Sequence, residues 1–133
     1  MRLTINADGA SRGNPGPAAI GATVKNEKGK LLSAISERIG RTTNNQAEYR
    51  ALIAALKEAG RLGATGVDIR LDSELLVRQL TGRYRVKHPA LKPLYEETRR
   101  LLAGLVGFTI THIPRAENAE ADSLANAALD FGG

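Results

Sequence analysis

No cysteine occurs anywhere in the chain. Disulfides and thiolate-held metals are therefore excluded, and a reducing, cytoplasmic setting is favoured. No apolar run approaches the roughly 20 residues needed to cross a bilayer. Arg2 leads straight into an alternating stretch without a signal-peptide pattern, which again points to the cytoplasm. Internal repeats, linkers and low-complexity segments are missing too. What remains is 133 residues, 42% apolar and 25% charged. That is an ordinary globular composition, expected to form one domain over residues 1–133 with a core of its own. The only imbalance is a formal net charge of +5, which favours a polyanionic partner.

The most informative stretch is the first. Leu3, Ile5 and Ala7 alternate with Thr4, Asn6 and Asp8, the period of a strand with one buried face. It is expected to deliver Asp8 at its end. Gly9, Gly13 and Gly16, with Asn14 and Pro15, then form a loop whose backbone can approach a ligand closely. A carboxylate beside such a loop suits a metal or a phosphate; a plain hairpin turn with an exposed Asp is the alternative.

Further along, Ala18–Lys25 and Leu31–Ile39 read as two more strands around the Asn26–Gly29 turn, giving an antiparallel meander. Gly40–Thr43 reads as a link. Thr43 and Gln46 have capping-box spacing, with Asn44 or Asn45 as other possible caps. Ala51, Leu52, Ala55, Leu56 and Ala59 recur at helical spacing, with Glu48 in the first turn. Val67, Ile69 and Leu71 form a fourth strand ending at Asp72. Ser73–Leu80 and Leu91–Ala103 read as helices, and Val106–Ile113 as a fifth strand. Pro114–Asn118 reads as a loop, Ala119–Leu129 as the last helix, and the end from Phe131 as frayed.

A strand reached through a helical crossover runs parallel to its neighbour. If the fourth strand lies beside the first, Asp8 and Asp72 share one face about 4.8 Å apart. Two such carboxylates repel, and one takes up a proton unless a cation lies between them.

Four acids thus stand out: Asp8, Glu48, Asp72 and Asp122. They lie in Asp8-Gly9-Ala10-Ser11-Arg12-Gly13-Asn14-Pro15-Gly16, Thr43-Asn44-Asn45-Gln46-Ala47-Glu48, Leu71-Asp72-Ser73 and Glu117-Asn118-Ala119-Glu120-Ala121-Asp122. In that order, on a β-β-β-α-β-α-α-β-α succession, these motifs resemble the type I ribonuclease H family from Arg2 to about Leu129. The resemblance implies an α/β, ribonuclease H-like fold: a five-stranded mixed sheet, three strands antiparallel and two parallel, flanked by helices. It also implies a metal-dependent endonuclease that hydrolyses the RNA strand of RNA–DNA hybrids and leaves 3′-hydroxyl and 5′-phosphate ends. Asp8, Glu48, Asp72 and Asp122 would hold two Mg²⁺ ions, or Mn²⁺; hard cations prefer such oxygen donors. Asn14, Asn44, Asn45 and Gln46, with backbone around Gly9, Ser11 and Gly13, would meet the RNA minor groove. Arg41 and Thr43 would grip a DNA phosphate. The expected partner is an RNA–DNA hybrid, with double-stranded RNA a second candidate and no membrane; the expected state is a monomer.

Two departures from the family pattern are visible. Thr81–Pro93 is too short for the basic helical protrusion of some members, which leaves Arg83, Arg85 and Lys87 to hold the duplex. The loop before Asp122 has no histidine; Arg115 stands there, and a guanidinium cannot shuttle protons at neutral pH. His112 reads as a structural strand residue. Two other readings compete. A non-catalytic hybrid-binding module would be expected to lose an acid, and all four are present. An actin-like phosphotransferase needs a second domain that 133 residues do not hold.

Overall fold

The computed structural model describes residues 1–131; the last two residues of the expected frayed end lie outside them. Among the described residues, five strands and four helices follow in the order β1 (Arg2–Ser11), β2 (Gly16–Lys25), β3 (Leu31–Thr42), α1 (Asn44–Arg61), β4 (Gly66–Leu71), α2 (Glu74–Leu80), α3 (Lys92–Ala103), β5 (Gly107–His112) and α4 (Ala119–Phe131), with a 3-10 turn at Arg115–Asn118. The strands form one sheet in the order β3-β2-β1-β4-β5. β1, β2 and β3 are antiparallel, and β4 and β5 run parallel to β1. The mixed sheet expected from the motif order is therefore present, with the crossover helix α1 linking the meander to the parallel half.

Helices cover both faces. Leu3, Ile5 and Ala7 of β1 and Val67, Ile69 and Leu71 of β4 join Leu52 and Leu56 of α1, Leu76 of α2 and Leu102 of α3 in the main core. On the other face α4 lays Ala128 and Leu129 against Ala19, beside Ala10. Two backbone approaches bring the helices this close. A Cβ on Gly9 would lie 2.3 Å from the Ala47 carbonyl carbon, and one on Gly21 would lie 2.1 Å from the Ala121 carbonyl oxygen. Only glycine fits at either position.

Several boundaries differ from the sequence reading. β1 does not end at Asp8 but continues to Ser11, because Gly9, Ala10 and Ser11 keep pairing with Ile20, Ala19 and Ala18 of β2. The loop is thus shorter than expected, with Gly13 at φ 112°. Gly40–Thr43 is not a link: β3 passes a bulge at Ile39, where Ala18 pairs with Gly40 and Ala19 with Arg38, and runs on to Thr42. Pro114–Asn118 contains the 3-10 turn, and Phe131 still belongs to α4. Among the described residues no helix occupies 81–91, the place where a protrusion would stand.

Candidate active site

The β1–β4 ladder ends where Ala7 pairs with Leu71, so Asp8 and Asp72 leave it side by side. Glu48 arrives from the opposite helix layer. Its helix starts on the expected capping box: the Thr43 hydroxyl accepts from the Gln46 N–H at 3.3 Å, and Gln46 Oε1 accepts from the Thr43 N–H at 3.0 Å. That fixes the first turn of α1 over Gly9, whose N–H donates to Glu48 Oε1 at 3.1 Å. Asp8, Glu48 and Asp72 consequently each place a carboxylate oxygen within 4.8 Å of the others. Asp122, on α4, adds to the crowding at Asp8. All four acids line one open cleft of about 340 Å³.

The electrostatics of this cleft are unfavourable as they stand. Asp8 is 4% exposed and Glu48 6% exposed. Burial, and then the neighbouring Asp72 and Asp122, push the Asp8 carboxyl up to about 7. Burial and the adjoining Asp8 likewise hold Glu48 well above the ordinary carboxylate range, against the Gly9 N–H, which works the other way. Glu48 Oε2 is buried without a hydrogen-bond partner. A buried, unpaired acceptor costs about 1–3 kcal/mol. Hard divalent cations bound by oxygen would satisfy that atom and relieve the repulsion together, so the residues fit such a group.

The structure brings the remaining sequence candidates to different places. Gly9, Ser11, Asn44 and Asn45 line the acidic cleft, as does Arg115. Asn14 is not among the lining residues; its Oδ1 accepts the Asn44 N–H at 2.9 Å, tying the first loop to the start of α1. The Ser11 hydroxyl donates to the Gly13 carbonyl at 2.7 Å and stiffens the same loop. Gln46 Oε1 also accepts from the hydroxyls of Thr42 and Thr43, which ties this end of the amide to the cap of α1. Arg41 is exposed and lines a separate groove with Arg12 and Arg38. His112 ends β5 away from the cleft, exposed.

Two residues not singled out in the sequence analysis belong to the site. Asn118, 1% exposed, donates through Nδ2 to the Ala7 carbonyl at 2.9 Å and to Asp72 Oδ1 at 2.8 Å. Its own Oδ1 accepts from Asn6 Nδ2 at 3.1 Å. Asn126 lines the cleft from the second turn of α4. The available signal was position alone: Asn118 directly precedes a helix, and Asn126 lies one turn beyond Asp122.

Comparison with known proteins agrees with this fold. Residues 6–128 match the protein family described as reverse transcriptase-like. A ribonuclease HI of Halobacterium salinarum is 50% identical over 97% of this chain and 65% of that protein. A ribonuclease H of Chromohalobacter salexigens is 36% identical over 97% of this chain and 85% of that one. The crystal structure of RNase H1 from the Halobacterium superimposes with a TM-score of 0.95, at 48% identity and 98% coverage of both chains. LC11-RNase H1, solved in complex with RNA/DNA hybrid, gives 0.92 at 44% identity, again covering 98% of both. The chain spans 65% of the Halobacterium protein, and 36% of a bifunctional Mycobacterium tuberculosis protein with which it is 47% identical.

Proposed function

The chain belongs to the type I ribonuclease H family, and from that membership and the cleft we propose that it hydrolyses the RNA strand of RNA–DNA hybrids, leaving 3′-hydroxyl and 5′-phosphate ends. The observation that carries this reading is the convergence of carboxylate oxygens of Asp8, Glu48 and Asp72 within 4.8 Å of one another, with Glu48 Oε2 buried and unpartnered. Together with Asp122 these acids would hold two divalent cations, Mg²⁺ in the first instance. Such cations, when bound, supply a nucleophilic water at neutral pH and stabilise the charge on the departing oxygen.

Everything else is the work of this chain's own residues. Gly9 admits α1 and orients Glu48. Asn118 holds Asp72 by its Oδ1, and Asp72 lines the cleft. Choice of the RNA strand needs groups that sense 2′-hydroxyls, which DNA lacks. Asn44 and Asn45 are exposed on the cleft rim, and an amide offers both donors and an acceptor. Arg41 would reach a DNA phosphate from the neighbouring groove, and Arg115 would bring positive charge to the scissile phosphate. Arg83, Arg85 and Lys87, all three exposed, would follow the duplex backbone. The protein would act as a monomer in the cytoplasm.

The test is a cleavage assay on labelled RNA–DNA hybrid, double-stranded RNA and double-stranded DNA, each with Mg²⁺, Mn²⁺ or chelator. Metal-dependent cutting of the hybrid's RNA strand, with 5′-phosphate products, is expected. Tight hybrid binding without metal-dependent cleavage would instead identify a binding module.

A further inference from the structure

Asp122 meets the acid cluster at Asp8 but is held differently from the other three acids. It lies outside the group whose oxygens converge within 4.8 Å, it is carried by a helix, and its side chain is 30% exposed. An aspartate in that setting would sample more than one rotamer unless something held it. Asn126, one turn further along α4, does so: its Nδ2 donates both to the Asp122 carbonyl at 2.9 Å and to Asp122 Oδ1 at 3.2 Å. The first bond fixes the amide by the helix backbone, whatever the charge on Asp122. The second then fixes the carboxylate. Arg115 approaches the same Oδ1 only to 3.8 Å, and its side chain is 80% exposed, so its hold is screened by solvent. Both donors address Oδ1, and among the described residues none reaches Oδ2.

We propose that Asn126 is a positioning residue that acts through Asp122, presenting Oδ2 as a single oriented ligand to a divalent cation. An amide suits this role better than a basic side chain would, because it orients the carboxylate without neutralising it. The inference rests on the cation-dependent reading of the cleft. It predicts an effect on cation affinity and turnover, and none on capture of the duplex.

The test compares wild type, Asn126→Ala, Asn126→Ser, Asp122→Asn and the double variant Asp122→Asn/Asn126→Ala. Mn²⁺ binding is measured by calorimetry without substrate. Cleavage of a labelled hybrid is followed against Mg²⁺ concentration, and hybrid binding is measured in chelator. Asn126→Ala should weaken Mn²⁺ binding and raise the Mg²⁺ needed for half-maximal cleavage by about tenfold, the usual scale for a residue that orients a metal ligand. Hybrid affinity in chelator should stay within about twofold. A serine hydroxyl can bond the carbonyl four residues back but is too short for Oδ1, so Asn126→Ser should behave like the alanine variant. In the Asp122→Asn background, Asn126→Ala should add nothing. Unchanged Mn²⁺ affinity in Asn126→Ala, wild-type behaviour of Asn126→Ser, or an undiminished effect in the Asp122→Asn background would each overturn the assignment. A wild type that binds Mn²⁺ yet cuts no hybrid would sink the nuclease reading instead, and calorimetry would still decide the role of Asn126.

Discussion

At the scale of single residues, Asn118 does most to organise the site. The Ala7 carbonyl lies at the last rung of the β1–β4 ladder, and the Asn118 amide takes it over while also holding Asp72. Asn118→Ala should therefore cost about 1–3 kcal/mol of stability, since it leaves a buried carbonyl unpaired. It should also lower turnover by about 10–100-fold, because Asp72 loses its orienting donor. Denaturant midpoints and single-turnover rates measure the two separately. Asn118 escaped the sequence reading because a residue in a 3-10 turn leaves no mark on a period of two or of 3.6. The four acids were legible because each sits at a definite place in a periodic element. Substrate contacts were less so, because caps and readers use the same residue types: Gln46 Oε1 serves the cap of α1, while the side chain of Asn45 is exposed. Asn45→Ala should raise the barrier to hybrid cleavage by about 1–3 kcal/mol, and by much less on a hybrid with a 2′-deoxy sugar at the contacted position. Equal losses on both substrates at every sugar position would make Asn45 a structural residue only.

At the scale of elements, the site exists because two helices approach the sheet from opposite faces at neighbouring residues. Gly21 pairs with Asp8 in the β1–β2 ladder, so α4 lands directly beside the acid it must complement. Arg38 of β3 holds the far end of α4 through the Ala128 and Leu129 carbonyls, both at 2.9 Å. Gly21→Ala would drive a methyl group into the backbone of α4 at Ala121 and Ala125. Stability should fall by about 1–3 kcal/mol, the usual cost of overpacking, and cleavage should be lost as Asp122 and Asn126 move away. Hybrid binding in chelator, measured alongside, should survive. That β4 runs parallel to its sheet neighbour was legible from the helical crossover; that this neighbour is β1 was only a condition in the sequence, and the ladder that sets Asp8 beside Asp72 supplies it. The end of β1 was not legible: whether a strand stops at Asp8 depends on whether its partner continues, and β2 does. The bulge at Ile39 was hidden for the same reason, since Gly40 looks like a terminator until its partner strand is known.

At the scale of the whole molecule, the charges divide by task. The acids gather in one cleft while the net charge remains +5. Arg83, Arg85 and Lys87 are exposed, and none has an acidic partner among the described residues. If each meets a phosphate, replacing all three by Ala should reduce the salt slope of hybrid binding by about 2–3, with little change in turnover at saturation; an unchanged slope would make them a solvated face. The acid cleft sets the pH behaviour of the fold itself. Asp8, raised by burial to about 7, and Glu48, held well above its ordinary value by burial and by Asp8, hold protons in the native state that the unfolded chain has already released. Stability falls with pH wherever the native state binds more protons. The metal-free protein should therefore lose stability as pH rises from about 4 to about 7, and the Asp8 part of the loss should level off above that. A divalent cation must displace those protons, so its stabilising effect should grow over the same interval. Thermal melts from pH 5 to 8, in chelator and in Mg²⁺, check both slopes. Asp8→Asn carries no titrating group there. It should melt higher than wild type at pH 8 in chelator, show a flatter pH dependence and gain little from Mg²⁺. It should also lose about a thousandfold or more in cleavage, because several kcal/mol of transition-state stabilisation goes with the ligand. A wild-type slope retained in Asp8→Asn would mean that the pH dependence originates outside the cleft.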